Sequence, residues 1–380
     1  MAGPGPLSPE TVGQSTLTPL VRKALASPQL VVSDWQLTRL SGGAGGGLSA
    51  SELIRFSGHA QDGQRSVPWA LVLKILNART ESSPTQIDYW KREAEAYRSG
   101  FFAKLPRGLG APQCHGLHEV EDSCWLWLED VSESLPNWPL RRYGLAARHL
   151  GRLSGAYLRQ PMPAWPWLST KFIREDLGQI EDQIERLASN MKHPLLSRFL
   201  PGDAGHRMLG LFAERERFLR VLDQLPQTLC HFDAFRRNMF ARRRGAADET
   251  VLIDWAFVGQ GPIGAEIVST VWVTLCFLEL GPSHAEALET VVFNGYMSGL
   301  HDTGWTGDER LARLGFTAAI GLRRLGTFGH MLPSILEPGQ YVRMEELWLR
   351  PINEIADHYS RIGAVMEKLT DEARELMAVV

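Results

Sequence analysis

The sequence predicts an α+β fold of two lobes, a smaller N-terminal lobe built on an antiparallel sheet and a larger, mainly helical C-terminal lobe. Short strand-like segments and glycine-rich turns are concentrated before residue 131, whereas apolar residues repeat at helical steps of three and four after it. A chain of 380 residues also exceeds what a single core usually holds. We therefore divide the chain into a flexible N-terminal segment (1–28), an N-lobe (29–131) and a C-lobe (132–380).

The first predicted elements are two strands, residues 34–40 and 52–56, joined by a glycine-rich turn over residues 42–49. Glycines allow backbone N–H groups to approach the oxygen atoms of a phosphate closely. The positions that we expect at such a contact are Gly43, Gly45, Gly46 and Ser49. A plain flexible loop is the alternative, and no Gly-Lys-Ser/Thr follows as it does in a Walker loop.

The next predicted strand, residues 69–76, is apolar except for Lys74. A charge in a buried strand is costly unless it is paired, so Lys74 needs an anionic partner. A predicted helix over residues 87–102 offers Glu93, and Glu95 is the competing acid. A position of Lys74 at a solvated strand edge is the alternative.

Two carboxylates and an amide surround a predicted hairpin in the C-lobe. Asp233 and Asn238 precede its first strand, residues 239–242, and Asp254 follows its second strand, residues 250–253. The start of the first strand and the end of the second are neighbours in an antiparallel hairpin, so Asn238 and Asp254 should meet at its open end. Carboxylate and amide oxygens are ligands that Mg²⁺ accepts. The sequence therefore predicts a magnesium site formed by Asn238 and Asp254.

The spacing His-x-Asp-x-x-x-x-Asn over residues 231–238 resembles the catalytic loop of protein kinases. Ile253-Asp254-Trp255 stands where a protein kinase has Asp-Phe-Gly, and no Ala-Pro-Glu follows. Together these features resemble the aminoglycoside phosphotransferase and choline kinase family, small-molecule kinases with a protein-kinase-like fold. The resemblance spans roughly residues 35–275. A buried histidine beside two solvated acids is the alternative for a lone His-x-Asp pattern.

The resemblance implies a role for each of these residues. Asp233 would orient and deprotonate a hydroxyl group of the acceptor, while Asn238 and Asp254 would bind Mg²⁺. Lys74, paired with Glu93, would position the α- and β-phosphates of ATP or GTP.

The resemblance also implies where the nucleobase of ATP or GTP binds, and it leaves one role open. The segment 123–131 would join the lobes, with the Glu129 carbonyl and the Val131 N–H as adenine contacts, although it could be an ordinary buried strand. Phe235 stands where protein kinases usually have Lys, so another cation must meet the charge that develops on the transferred phosphoryl group. Arg236 is the nearest candidate, and a solvated arginine is the alternative.

Three helical patterns are predicted in the C-lobe. Residues 172–191 form an amphipathic helix whose acids fall mostly off the apolar stripe; we interpret them as a solvated face, and they are Asp176, Glu181, Asp182 and Glu185. Residues 267–278 are too few and too hydroxylated for a membrane span, and predict a buried helix that supports the hairpin. A capping box at 306–309 opens a third helix through Leu325, and Pro333 follows as a breaker.

Composition excludes several classes of protein. With 44% hydrophobic and 22% charged residues and a net charge of −3, the chain is typical of a soluble globular protein, and we expect no nucleic-acid or membrane partner. The four cysteines show no C-x-x-C spacing, which favours reduced thiols and a cytoplasmic location over disulfides or zinc. His231 is therefore expected to orient the catalytic loop by hydrogen bonding.

The acceptor is expected to be a small hydroxylated molecule, neutral or partly apolar. Residues 311–350 contain few acids and several aromatic or soft side chains, which could equally be core; they are Phe316, Phe328, His330, Met331, Tyr341 and Trp348. We predict a magnesium-dependent phosphotransferase that moves the γ-phosphoryl group of ATP or GTP to an antibiotic-like natural product or a sugar or alcohol metabolite. The alternatives are a catalytically silent nucleotide-binding pseudokinase and a protein kinase.

Overall fold

A five-stranded antiparallel sheet forms the N-lobe. The computed structural model describes residues 8–40, 51–78 and 82–379, so the predictions for the glycine-rich turn lie outside the described residues. The elements of this lobe are α1 (Gln14–Ala24), β1 (Val31–Leu40), β2 (Ser51–Asp62), β3 (Arg65–Asn77), α2 (Arg92–Arg98), β4 (Leu109–Gly110), β5 (Cys114–Val120) and β6 (Ser123–Glu129). The strand order β1-β2-β3-β6-β5 places β3, with Lys74, in the middle of the sheet.

One helix covers each face of this sheet. Successive side chains of a strand point to opposite faces. Leu73 of β3 therefore belongs to one apolar cluster with Leu17 of α1. On the other face Leu126 of β6 packs with Ala94 of α2. Lys74 lies on this second face, which is the face towards the C-lobe.

The segment before β1 differs from the flexible segment predicted for residues 1–28. Leu17, Leu20 and Val21 of α1 are buried against the sheet, and Lys23 Nζ donates to the carbonyl oxygen of His115 (3.0 Å). The prediction is wrong for α1 because the Pro/Gly-rich composition ends before residue 10, and an amphipathic stretch follows it.

The helix predicted over residues 87–102 is shorter than expected. α2 covers only Arg92–Arg98, and Gly100 (φ 70°) then turns the chain into a 3-10 turn. Arg92 is fully buried and donates to the carbonyl oxygens of Ile87 (3.1 Å) and Trp167 (2.9 Å). These bonds hold the residues before α2 in turns, which a helical pattern cannot reveal.

The C-lobe is mainly helical, as predicted. Its elements are α3 (Leu140–Arg159), α4 (Phe172–Gly178), α5 (Glu181–Ser189), α6 (Pro194–Phe199), α7 (Ala204–Gln224), β7 (Gln227–Cys230), β8 (Met239–Arg244), β9 (Ala247–Leu252), β10 (Gly259–Pro262), α8 (Val268–Cys276), α9 (Ala285–Asp302), α10 (Glu309–Leu336), α11 (Tyr341–Trp348) and α12 (Ile352–Leu376). α3 and α9 approach so closely that a Cβ added at Gly151 would lie 2.2 Å from the Tyr296 carbonyl oxygen. β7 is tied to this pair of helices, since Thr228 Oγ1 donates to Ser154 O (2.7 Å).

The predicted hairpin is confirmed. β8 and β9 pair antiparallel with Met239 opposite Leu252, and Gly245 (φ 59°) makes the turn between them. β4 of the N-lobe adds to β9 in parallel. The hairpin is therefore held from both lobes.

The predicted buried helix at residues 267–278 is also confirmed. All nine residues of α8 are buried. Among the described residues no helix combines the length and the apolar composition that a membrane crossing requires.

Two helix predictions in the C-lobe need correction. The helix predicted over residues 172–191 is interrupted between α4 and α5, so its apolar stripe changes direction at the break. α10 begins at Glu309 with Asp308 as its N-cap, whose Oδ1 accepts from the Arg310 N–H (2.9 Å), and not with the capping box predicted at 306–309. The helix then runs past Pro333 to Leu336. Pro333 lies in the last turn of the helix, where its missing N–H removes only one hydrogen bond.

Candidate active site

Asp233 and Asn238 are in direct contact in the loop between β7 and β8. A single 3-10 turn, Arg236–Asn238, leads from this loop into the hairpin. Asn238 Nδ2 donates to Asp233 Oδ2 (2.8 Å) and to the Asp233 carbonyl oxygen (3.0 Å). The amide nitrogen is engaged in this way, so the carboxamide oxygen of Asn238 is the atom left to bind a cation.

His231 ties this loop to the end of β9. Its Nδ1 accepts from the Asp233 N–H (3.2 Å), and its Nε2 lies 3.1 Å from the Ile253 carbonyl oxygen, so Nε2 carries the proton. Burial lowers the pKa of His231 to about 4. His231 is therefore a neutral residue that positions Asp233, as the sequence analysis expects.

Hydroxyl groups of α8 hold the backbone of the same loop. Ser269 Oγ donates to the Phe232 carbonyl oxygen (2.5 Å), and Thr270 Oγ1 donates to that of Ala234 (2.7 Å). Phe232 has a φ of 65°, which is costly for a bulky side chain. Bonds of this kind can maintain such a conformation. The sequence analysis uses these hydroxyls only against a membrane span and misses this role.

The open end of the hairpin brings Asp254 beside the loop. The Ile253 N–H donates to the Asn238 carbonyl oxygen (3.0 Å), which joins the two ends of the hairpin as predicted. Asp254 has a φ of 61°, and this left-handed conformation turns the chain out of β9. Its Oδ1 accepts from Lys74 Nζ at 2.7 Å, across the boundary between the lobes.

Lys74 is paired with Glu93, as predicted, and not with Glu95. Lys74 Nζ lies 2.5 Å from Glu93 Oε2, and the two residues are only 4% and 2% exposed. Glu95 pairs instead with Arg98 (2.9 Å). Burial alone would lower the pKa of Lys74, but the charges of Asp254 and Glu93 raise it above its ordinary value. The ammonium group is therefore held between two carboxylates.

The carboxyl group of Asp233 is more basic than that of an ordinary aspartate. Burial, together with the charge of Asp254, raises the pKa of Asp233 to about 8, although Arg323, Asn238 and Lys74 act against the shift. The pKa of Asp254 moves in the opposite direction: burial would raise it, but Lys74 holds it below its usual range. Two neighbouring carboxyl groups thus have separate tendencies, one to take up a proton and one to remain charged.

Arg236 does not lie where the sequence analysis places it. Its guanidinium group donates to the carbonyl oxygens of Met239 (3.0 Å) and Pro136 (3.0 Å) and lies 4.7 Å from the Trp138 ring. Arg323, and not Arg236, is the arginine whose charge acts on Asp233. These contacts direct Arg236 to the lobe connection, so the predicted role at the phosphoryl group is corrected.

Asp176, Arg323 and His330 form a second charged cluster, which we call the acceptor wall. Asp176 Oδ2 accepts from Arg323 Nη1 (2.9 Å), and Asp176 Oδ1 lies 3.1 Å from His330 Nε2. Burial would raise the pKa of Asp176, but Arg323 and His330 hold it below its usual range. Phe172 stacks on Phe232 (4.4 Å) beside this cluster, and Arg323 lies over the Phe172 ring (5.3 Å).

The interpretation of Asp176 as part of a solvated face is wrong. The residue is 2% exposed because α10 packs on this side of α4. Gly326 of α10 permits the contact, since a Cβ there would lie 2.4 Å from Asp176 Oδ2. Arg323 is likewise not predicted from the sequence, and its helical spacing to Gly326 and His330 was the available signal. Phe316 and Phe328, by contrast, are buried in the core.

The oxygen atoms at the hairpin end fit a hard divalent cation. Asp254 offers a carboxylate that is 30% exposed, and Asn238 offers its carboxamide oxygen. Neither residue supplies sulfur or imidazole, which softer metals prefer. This donor set suits Mg²⁺, and the metal site at Asn238 and Asp254 stays a prediction.

Glu129 and Val131 lie where the chain leaves the sheet for the C-lobe. The Glu129 N–H donates to the Gln113 carbonyl oxygen (2.8 Å), and the Glu129 carboxylate pairs with Arg242 (2.8 Å). Val131 lies two residues beyond the end of β6 and is half-buried. Their contacts with a base stay predictions.

A family model places the chain among known proteins. The model described as "Phosphotransferase enzyme family" matches residues 71–290, a span that begins before Lys74 and ends beyond Asp254. A comparison with curated proteins gives no match.

Several solved structures share the fold. A microcompartment-associated aminopropanol kinase is 14% identical, with a TM-score of 0.53 over 93% of this chain and 98% of its own. An amicoumacin kinase in complex with AMP-PNP and Ca²⁺ is 12% identical, with a TM-score of 0.52 over 86% and 90%. A choline kinase from Cryptosporidium parvum is 12% identical, with a TM-score of 0.52 over 90% and 91%. The predicted fold, that of protein-kinase-like small-molecule kinases, is confirmed.

Proposed function

The chain belongs to the phosphotransferase enzyme family, and we propose that it is a magnesium-dependent kinase acting on a small hydroxylated molecule. The phosphoryl donor is ATP or GTP. The acceptor is an antibiotic-like natural product or a sugar or alcohol metabolite. The observation that carries this proposal is the contiguity of Lys74, Asp254, Asn238 and Asp233, each with the type of group that its predicted role requires.

Asp233 is the proposed base of the transfer. As the acceptor oxygen forms a bond to the γ-phosphorus, its proton passes to a carboxylate oxygen of Asp233. The bond between the γ-phosphorus and the oxygen that bridges to the β-phosphate breaks, and the nucleoside diphosphate leaves. The raised pKa of Asp233, about 8, makes this carboxylate a better proton acceptor than an ordinary aspartate.

Asn238 and Asp254 are the proposed ligands of magnesium. Mg²⁺ bound there would neutralise charge on the β- and γ-phosphates. Lys74 would donate to the α- and β-phosphates, and Glu93 would keep its ammonium group in place. The phosphates would be covered by Gly43, Gly45, Gly46 and Ser49. The Glu129 carbonyl and the Val131 N–H would contact the nucleobase.

The charges of the acceptor wall favour an acceptor that carries no ammonium group. Arg323 and His330 already compensate the one buried carboxylate of this wall, Asp176. The stacked pair of Phe172 and Phe232 adds an apolar surface nearby. We therefore favour neutral, partly apolar hydroxylated molecules such as glycosides and nucleoside-like compounds.

An Asp233→Asn variant tests the proposal. The full chain is offered Mg²⁺, ATP or GTP, and a panel of amino alcohols, aminoglycosides, neutral glycosides and nucleosides, and nucleoside diphosphate release is measured. We expect the variant to bind the nucleotide and to transfer phosphoryl groups at least about a hundredfold more slowly, the scale of a lost general base. Asp223→Asn, at a side chain that is 68% exposed, should match the wild type.

Two outcomes would replace this proposal. A wild-type protein that binds nucleotide but never consumes it, with Asp233→Asn indistinguishable, would favour the pseudokinase alternative. Transfer to serine or threonine in a protein, with no transfer to any small molecule, would favour the protein kinase alternative.

A further inference from the structure

A second basic side chain besides Lys74 lies on the sheet face towards the C-lobe. Ile54 and Phe56 of β2 are buried in the cluster beneath α1, so Arg55 between them points to the opposite face. The strand register places Arg55 beside Val72 of β3, and Val72 beside Leu128 of β6. Leu128 belongs to the apolar cluster of that opposite face. Arg55 therefore shares a face with Lys74.

Asp130 holds the guanidinium group of Arg55 across the central strand. Arg55 Nη2 donates to Asp130 Oδ1 at 2.8 Å, and Asp130 directly follows the end of β6. The bridge therefore spans β3 from one neighbouring strand to the other, at the level where the chain passes between the lobes. The side chain of Arg55 is 42% exposed, so part of it is accessible from this face.

The hydrogen-bonding groups of Arg55 are incompletely used. Its Nε is buried and has no hydrogen-bond partner among the described residues. A buried donor of this kind costs free energy unless a bound molecule or water accepts from it. The guanidinium plane is also fixed in orientation by Asp130, and a planar cation held in this way is suited to lie over an aromatic ring.

The distance between Lys74 and Arg55 along the strands indicates which part of a bound nucleotide would lie against Arg55. Lys74 pairs with Leu53, and Val72 pairs with Arg55, so the two basic residues are separated by two steps along the strands. Two steps correspond to about 7 Å, which is comparable to the length of a nucleoside. If Lys74 binds the phosphates, the base lies against Arg55 and the lobe connection.

We propose that Arg55, oriented by Asp130, binds the base of the nucleotide through the face of its guanidinium group and makes the cleft prefer purine nucleotides. This inference rests on the proposed function, since it requires a nucleotide at Lys74. A cation over an aromatic ring is attracted by the negative face of the ring. A purine offers two fused rings and a pyrimidine one, so the purine gains more from the contact.

The experiment is calorimetric titration of the full chain with three Mg²⁺ complexes: the imido analogue of ATP, the imido analogue of CTP, and inorganic tripolyphosphate. Tripolyphosphate carries the charge without a base. We expect Arg55→Ala to weaken binding of the ATP analogue by about threefold to thirtyfold, the range of a cation–π contact. The loss for the CTP analogue should be smaller, and tripolyphosphate should bind as in the wild type.

Two further variants complete the test. Arg98→Ala removes another N-lobe arginine, which is paired with Glu119 (2.6 Å) on the far edge strand, and it should leave all three affinities unchanged. Arg55→Lys keeps the charge and the reach to Asp130 without the planar face, so it should show an intermediate loss.

Each contrary result has a distinct meaning. Equal losses for the ATP analogue and tripolyphosphate would make Arg55 a phosphate ligand. An unchanged affinity for the ATP analogue in Arg55→Ala, or a wild-type affinity in Arg55→Lys, would leave the bridge a structural feature. Either result overturns this inference and leaves the proposed function intact. A wild-type protein that binds none of the three complexes would overturn both.

Discussion

Charged groups of two clusters act on Asp233, and the two clusters differ in their balance of positive and negative charge. On the nucleotide side one ammonium group, Lys74, faces two carboxylates, Glu93 and Asp254. On the acceptor wall one carboxylate, Asp176, faces a guanidinium and an imidazole group. The first cluster has an excess of negative charge, and the second has none.

The difference indicates which side needs a cation from outside the chain. Buried charges are costly unless they are compensated, so a cation bound beside Asp254 would balance the excess of negative charge on the nucleotide side. The acceptor wall is compensated by its own side chains and does not depend on an ammonium group of the acceptor. The proposed dependence on metal and the proposed tolerance of neutral acceptors therefore have a common basis in this asymmetry.

The largest expected effect comes from removing the metal-binding carboxylate. We expect Asp254→Ala to abolish magnesium-dependent turnover, because Asp254 is the proposed charged ligand of Mg²⁺ at the open end of the hairpin. The fold should persist in circular dichroism. Asp248→Ala removes an exposed carboxylate of the same hairpin and should be active. Comparable turnover of Asp254→Ala at saturating Mg²⁺ would contradict the metal assignment and with it the comparison.

A smaller effect is expected from the cation of the same cluster. Lys74→Ala should lower turnover by about ten- to a hundredfold, the worth of charge-assisted hydrogen bonds to phosphate. It also leaves Glu93 without its buried partner. The free energy of unfolding measured by chemical denaturation should therefore fall by about 3 kcal/mol at most. Lys91→Ala, at a partly exposed lysine beside Glu119, is the matched control. A wild-type rate at every nucleotide concentration would show that Lys74 has no role.

The nucleotide side could be largely predicted from the sequence because its residue types occur in a fixed order along the chain. His231, Asp233 and Asn238 stand within eight positions, and the hairpin brings Asp254 to them. The acceptor wall has no such signature. Asp176 and Arg323 are 147 residues apart, on helices with ordinary amphipathic patterns, and only the packing of α4 on α10 brings them together. The break between α4 and α5 and the bonds around Arg92 are likewise tertiary features that a helical period cannot show.

A substitution in the acceptor wall should weaken binding of the acceptor and leave binding of the nucleotide unchanged. We expect Arg323→Met to raise the KM for an acceptor found in the panel by about tenfold, the equivalent of one lost hydrogen bond. The Kd for Mg²⁺ and AMP-PNP should stay within about twofold. Arg324→Met breaks a comparable pair with Glu367 (2.7 Å) one residue away, so it controls for lost stability. An equal rise of the KM in both variants would show that the acceptor wall contributes to packing and not to binding of the acceptor.

The smallest effect is expected at Arg236. Its partners are backbone carbonyl groups, Trp138 and the Glu133 carboxylate (3.3 Å), so Arg236→Lys should change turnover by no more than about threefold. Arg237→Lys, at the neighbouring arginine paired with Glu279 (2.7 Å), is the control. A loss of a hundredfold or more, absent from the control, would restore the predicted role of Arg236 at the phosphoryl group.

The arrangement of the acceptor wall depends on the absence of a side chain at Gly326. Because a Cβ at this position would lie 2.4 Å from Asp176 Oδ2, one methyl group on α10 is enough to displace the carboxylate that joins Arg323 to His330. Glycine and alanine codons differ by one nucleotide. A lineage carrying this chain is thus a single point mutation away from freeing both basic side chains, while the hairpin and the residues around Asp233 stay as they are.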